Sequence, residues 1–100
     1  MFGLRQEDIQ EIYQIISEFP EVTKVLVFGS RAMGNFRPGS DVDLAISGVN
    51  LSFKTTQKIK GILNEDTLMP YHFDVVNMGE IENKNLLEHI LRVGIPLVAE

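Results

Sequence analysis

The segment Asp41 to Ser47, DVDLAIS, alternates acid or small residues with apolar ones. A period of two puts Asp41, Asp43 and Ala45 on one face of a β-strand and Val42, Leu44 and Ile46 on the other. A strand of this kind has one buried face and one carrying acids, and the other elements are read around it. Lys24 to Phe28, KVLVF, is a short β-branched and apolar run that predicts a buried strand before it. Tyr71 to Val76 predicts a third strand, and Ile95 to Val98 an edge strand that tolerates Pro96.

Helical spacing fills the intervals. Ile9, Ile12, Tyr13, Ile16 and Phe19 recur at three and four residues, which predicts a helix from about Leu4 to Phe19 with these side chains as its buried stripe. Pro20 stops it, because the residue before a proline is pushed out of the helical region. Ser52 is a good N-cap for a second long helix ending near Leu63, with Phe53, Ile59, Ile62 and Leu63 on its apolar side. A last helix runs from about Ile81 to Val93, with Leu86, Leu87, Ile90 and Leu91 inward and Gly94 at its end. The stretch GNFRPGS reads as a loop, preceded by one helical turn at Arg31 to Met33. The expected fold class is α+β: a mixed β-sheet with three core strands in order 1-2-3 and helices packed on one face.

A chain of 100 residues makes one domain, 1–100, with a modest core. Its 14 acidic and 9 basic residues leave a formal charge of -5, which argues against direct nucleic-acid binding. It does not exclude a nucleotide, because bound cations invert the field around clustered carboxylates. With no cysteine, disulfides, thiolate metal sites and cysteine nucleophiles are excluded. No stretch approaches the roughly 20 apolar residues of a membrane span, and MFGLRQEDIQ lacks a signal-peptide pattern. The expectation is a cytoplasmic protein that does not contact the membrane.

The chemistry concentrates around the loop. Gly29-Ser30 closes the first strand, and ten residues later Asp41-Val42-Asp43 opens the second. On one strand face the Cα atoms of Asp41 and Asp43 lie about 6.6 Å apart, so their carboxylates can share divalent cations. Without a cation they would repel. Gly29 allows a phosphate close to the backbone, Ser30 offers a hydroxyl, and the following turn aims N–H groups at an anion.

GSRAMGNFRPGSDVDL, with the layout around it, resembles the signature of the polymerase-β-like nucleotidyltransferase superfamily and specifically its minimal members. The resemblance runs from about Ile9 to Val98. It implies a third carboxylate from the strand after the second helix, which Asp74 in YHFDVV matches; an aspartate in an apolar strand is costly unless paired or metal-bound. It implies Asp41, Asp43 and Asp74 as catalytic residues and ligands of Mg2+, two ions, with ATP as substrate. Gly29, Ser30 and Arg31 become the phosphate contacts. It further implies the antitoxin of a toxin–antitoxin module, moving AMP from ATP to a tyrosine of a HEPN-type ribonuclease toxin. Two other readings stand beside it: a catalytically silent antitoxin that inhibits by binding, and a small-molecule nucleotidyltransferase.

The remaining candidates have ordinary readings. Arg31 and Arg37 can reach phosphates or a partner, although charged loop residues are more often solvated. Lys54 and Lys58 read as a solvated helix face. His72 is expected on the strand face of Asp74, and His89 at the surface or an interface.

Overall fold

The computed structural model describes residues 1–98. The chain runs through α1 (Gln6–Ser17), β1 (Lys24–Phe28), α2 (Gly29–Met33), β2 (Val42–Ser47), α3 (Phe53–Glu65), β3 (Phe73–Asn77), a 3₁₀ turn (Met78–Glu80), α4 (Lys84–Val93) and β4 (Ile95–Pro96). Among these described residues, no helix is long and apolar enough to cross a membrane.

Local chemistry sets the helix boundaries. The Asp8 carboxylate reaches back to accept the Arg5 N–H at 3.1 Å, satisfying a free donor at the start of α1. The helix ends where the Glu18 and Phe19 N–H groups turn to Ile15 and Ile16, just before Pro20. Ser52 Oγ accepts the Thr55 N–H at 3.1 Å and caps α3. Asn83 Oδ1 does the same for α4, accepting from Asn85 and Leu86.

The sheet order is β3-β2-β1-β4. β1 and β2 form an antiparallel pair from Lys24↔Ser47 to Phe28↔Asp43. β2 and β3 are parallel, from Val42↔Phe73 to Ile46↔Asn77, joined by a crossover through α3. β4 lies antiparallel on the outer side of β1, where Pro96 sits on an edge as expected. The mixed α+β sheet with core order 1-2-3 is therefore what the sequence predicts.

The two faces are unequal. Val27, Val42, Leu44, Ile46, Phe73 and Val75 form one apolar face, closed by Ile9, Ile12 and Ile16 of α1 and by Ile59 and Leu63 of α3. Helices were expected on one face, and α1 and α3 satisfy that. α4 lies on the other face, where Ile90 packs on Leu26, Phe28 and Ala45. The reason is parity: Leu26 and Phe28 of β1 point opposite to Val27, beside Ala45, and an apolar patch there needs a cover. Only part of that face is covered, and the acids occupy the rest.

Three side chains placed in buried stripes by spacing are exposed: Tyr13 at 49%, Phe53 at 64% and Leu91 at 66%. In α1 the buried stripe is Asp8, Ile9, Ile12 and Ile16, which rotates Tyr13 outward. An acid, Asp8, takes the inward position. Its carboxylate accepts from the Arg5 guanidinium and, at 2.7 Å, from the Tyr71 hydroxyl. Burial pushes the Asp8 carboxyl up, but hydrogen bonds from the Arg5 side chain, Tyr71 and the Arg5 backbone outweigh it and hold it below the usual carboxylate range. The Tyr71 hydroxyl is pushed up by donating to that carboxylate.

A carboxyl depressed in the folded state adds stability above its unfolded value, lost as pH falls through the folded one. Tyr71→Phe removes a hydrogen bond to a charged, buried acceptor and should cost about 2 kcal/mol of unfolding free energy. Thermal unfolding near neutral pH tests this; an unchanged midpoint excludes the contact as a stabilising one. The deficit should shrink in acid, where Asp8 protonates.

Candidate active site

β1 delivers the chain to one end of the sheet, where Phe28 pairs with Asp43. The next residue, Gly29, takes a left-handed backbone with φ +72° as the chain turns into α2. Only glycine fits there, for two reasons. A side chain is strained in that conformation. A Cβ would also overlap the carboxylate of Asp43, which leans over the Gly29 Cα. Ser30 follows, half-buried, at the start of the short helix.

Parallel register sets Asp74 of β3 directly beside Asp43 of β2. Neighbouring strands are about 4.8 Å apart, and both side chains project from the face opposite the α1–α3 core. Asp41 immediately precedes β2, two residues from Asp43, so the same face carries all three acids. Their mutual influence appears in ionisation. The Asp43 carboxyl is pushed above the usual carboxylate range by burial first, then by the charges of Asp74 and Asp41.

The two outer acids each face a basic side chain. Lys60 Nζ of α3 is 3.3 Å from Asp74 Oδ1. His72 Nδ1 is 3.5 Å from Asp41 Oδ1, an ion pair when the imidazole is protonated. Among the described residues, no three His, Asp or Glu side chains are closed up as a metal-binding set. The chemistry of the donors nevertheless fits a hard divalent cation: carboxylate oxygens from two adjacent strands, outer members roughly half exposed, and a central one destabilised first by burial and then by its neighbours' charge.

Arg31 behaves differently from the expectation of a phosphate contact. It is 3% exposed. Its Nη1 donates to the Phe2 carbonyl at 2.9 Å, and Nη2 and Nε donate to the Ser40 carbonyl at 2.9 and 3.2 Å. The guanidinium also lies 5.2 Å from the ring centres of both Phe36 and Tyr71. A planar, always-charged group so enclosed fastens the loop before Asp41 to the N-terminal segment and spends its donors on main-chain carbonyls. Arg37 is exposed, with its backbone N–H donated to Ser40 Oγ at 2.8 Å.

Lys60 and Asn64 were not legible as site residues. Lys60 sits two positions beyond Lys58 in a lysine-rich helix, and nothing local separates it from its solvated neighbours. Asn64 grips both outward main-chain groups of Phe73, accepting its N–H at 2.8 Å and donating to its carbonyl at 2.9 Å. It thus fixes the strand that carries Asp74. His72, by contrast, takes its expected strand face. His89 is half-buried in α4, with its ring edge-to-face on Phe28 at 6.2 Å.

The family model described as Polymerase beta, Nucleotidyltransferase matches residues 10–100. No curated protein shows significant sequence similarity to the chain. The fold is similar to a chain of a toxin–antitoxin crystal structure with AMP-PNP, with a TM-score of 0.77 and 18% identity, over 93% of this chain and 74% of that one. It is similar to a chain in a mutant of the toxin–antitoxin pair MntA-HpeT, with a TM-score of 0.73 and 15% identity, over 92% and 73% of the two chains. A structure described as a minimal nucleotidyltransferase gives a TM-score of 0.70 at 25% identity, over 91% of this chain and 90% of that one.

Two outcomes follow from the site. Gly29→Ala forces a left-handed non-glycine residue, a penalty of about 1–2 kcal/mol, and displaces the Asp43 carboxylate. A lowered unfolding midpoint together with weakened Mn2+ binding is expected; a variant that binds Mn2+ like the parent contradicts the close approach. A carboxyl raised in the folded state makes its ionisation unfavourable to folding at neutral pH, and that penalty disappears as pH falls through the folded value towards the unfolded one. Asp43→Asn should therefore melt higher than the parent at pH 7.5 in chelator, the gain vanishing near pH 4. A gain that persists at pH 4 points to packing instead of charge.

Proposed function

Because the chain belongs to the Polymerase beta nucleotidyltransferase family, we propose that it is an antitoxin that transfers AMP from ATP to a hydroxyl, a tyrosine, of a HEPN-type ribonuclease toxin. The observation that carries this reading is the in-register pair Asp43–Asp74, with Asp41 on the same face and Gly29-Ser30 beside it. Similarity to toxin–antitoxin chains, one of them in a structure with AMP-PNP, supports the choice of nucleotide and of partner.

In this reading Gly29 and Ser30 hold the β- and γ-phosphates, the glycine by admitting them close to the backbone and the serine through its hydroxyl. Asp41, Asp43 and Asp74 would hold Mg2+, which when bound would neutralise phosphate charge and polarise the transferring group. Asp74 accepts the proton of the acceptor hydroxyl. The acceptor oxygen forms a bond to the α-phosphorus, the bond from that phosphorus to the bridging oxygen breaks, and pyrophosphate leaves. Such transfers depend mainly on positioning and charge neutralisation, and the rigid sheet supplies both. Lys60 balances the charge of Asp74. Use of ATP on a toxin made in the same cell places the reaction in the cytoplasm.

Mixing the protein with ATP, Mg2+ and the protein encoded beside it, followed by intact-mass measurement, tests the proposal. The neighbour should gain AMP. Asp41→Asn and Asp43→Asn should each cut the rate by more than about 100-fold, beyond the 10–100-fold typical of outer-shell changes. A neighbour that is inhibited yet keeps its mass establishes the silent-binder reading. Chelator should abolish transfer in the parent.

A further inference from the structure

Beside Asp74 an open cleft of about 730 Å³ runs along the free edge of β3, between α3 and the 3₁₀ turn with the residues after it. That volume falls in the range of built ligand sites. Lys60 and Asp74 lie in its wall together with Phe53, Val75, Glu80 and Glu82.

The hydrogen-bond parity of the strand says what this wall offers. The Val42 N–H donates to the His72 carbonyl at 2.9 Å, and with the parallel register this directs the main-chain groups of Asp74 and Val76 towards β2. Those of Phe73 and Val75 then point away from the sheet. Asn64 takes both of the Phe73 groups, which confirms the parity. The Val75 side chain is in the core, so what this residue gives the cleft is main chain. A strand edge beside a cleft is a template for an extended segment.

Charge and shape narrow the occupant. Asp74, Glu80 and Glu82 outnumber the single ammonium of Lys60, so the cleft favours a cationic segment over the anionic backbone of RNA. Phe53, exposed by 64%, offers a large apolar ring to an aromatic neighbour.

We propose that this cleft is the acceptor groove: an extended, basic segment of the partner protein adds to the β3 edge at Val75 and presents a tyrosine hydroxyl to Asp74. The proposal rests on the transferase reading for its purpose, but the groove can be tested without any transfer.

The probe is a synthetic decapeptide with a central tyrosine flanked by arginines, titrated without ATP into the 15N-labelled protein. It should bind at least 10-fold tighter than its glutamate-flanked counterpart and slow hydrogen exchange of the Val75 amide. The double variant Glu80→Lys/Glu82→Lys, exposed and remote from the core, should invert the peptide preference. Equal binding of both peptides, or an unperturbed Val75 amide, overturns the groove. So does a single-stranded oligonucleotide that binds the cleft more tightly than the basic peptide. If the whole partner gains AMP equally well from the double variant, the transferase reading stands and the groove falls. A peptide that protects Val75 while no partner is ever modified leaves the groove and removes the transferase.

Discussion

Two like-charged carboxylates held side by side on neighbouring strands are the constraint around which the structure is organised. Left to themselves Asp43 and Asp74 would move apart, but the register that joins them also aligns Val42 with Phe73 and Leu44 with Val75. Slipping β3 by one residue would turn its core side chains, Phe73 and Val75, to the opposite face. Burial of each such side chain is worth roughly 1.5–3 kcal/mol, so apolar packing outweighs the repulsion. Burial first, and then the charges of Asp74 and Asp41, raise the Asp43 carboxyl, while Lys60 and His72 lie beside the outer acids. In the proposed reaction such an arrangement would offer a cation carboxylates that already stand side by side, which is what preorganisation means.

A second network supports the first from below. Arg31 binds the carbonyls of Phe2 and Ser40 and lies against Tyr71, whose hydroxyl reaches Asp8, which in turn holds Arg5. Four stretches of chain meet there, including the loop that ends at Asp41 and the segment that leads into β3. A small domain buries a modest fraction of its surface, and polar cross-links of this kind fix loops that a larger core would otherwise pin. Both loop ends that deliver acids to the site are anchored by this cluster.

Much of this was legible in the sequence because it is periodic or local. DVDLAIS specifies the strand and its acidic face, Gly29-Ser30 the turn, and Ser52 the start of α3. Asp74 was legible as a strand residue that needs a partner. What escaped depends on contacts distant in the chain. Arg31 looks like a basic residue next to a phosphate loop, and only the arrival of Phe2 and Tyr71 around it reveals a structural role. Tyr13 fits helical spacing, but Asp8 claims the inward position through bonds to Arg5 and to Tyr71, 63 residues away. Phe53 and Leu91 follow the apolar periodicity of their helices without facing the core. The opposite-face position of α4 required knowing which residues of β1 lie next to Ala45. Lys60 became recognisable only when α3 was laid beside β3.

The amide of Asn64 imitates a strand by offering Phe73 the donor and acceptor that a neighbouring chain would supply. It therefore works as an end-stop on the sheet margin. Any polypeptide that seeks to extend the sheet finds the first position already taken and must begin farther along, so its frame relative to the acids is set before it arrives. The same plug shortens the sticky margin through which copies of the protein could stack on one another. A single side chain thereby both meters access and guards solubility.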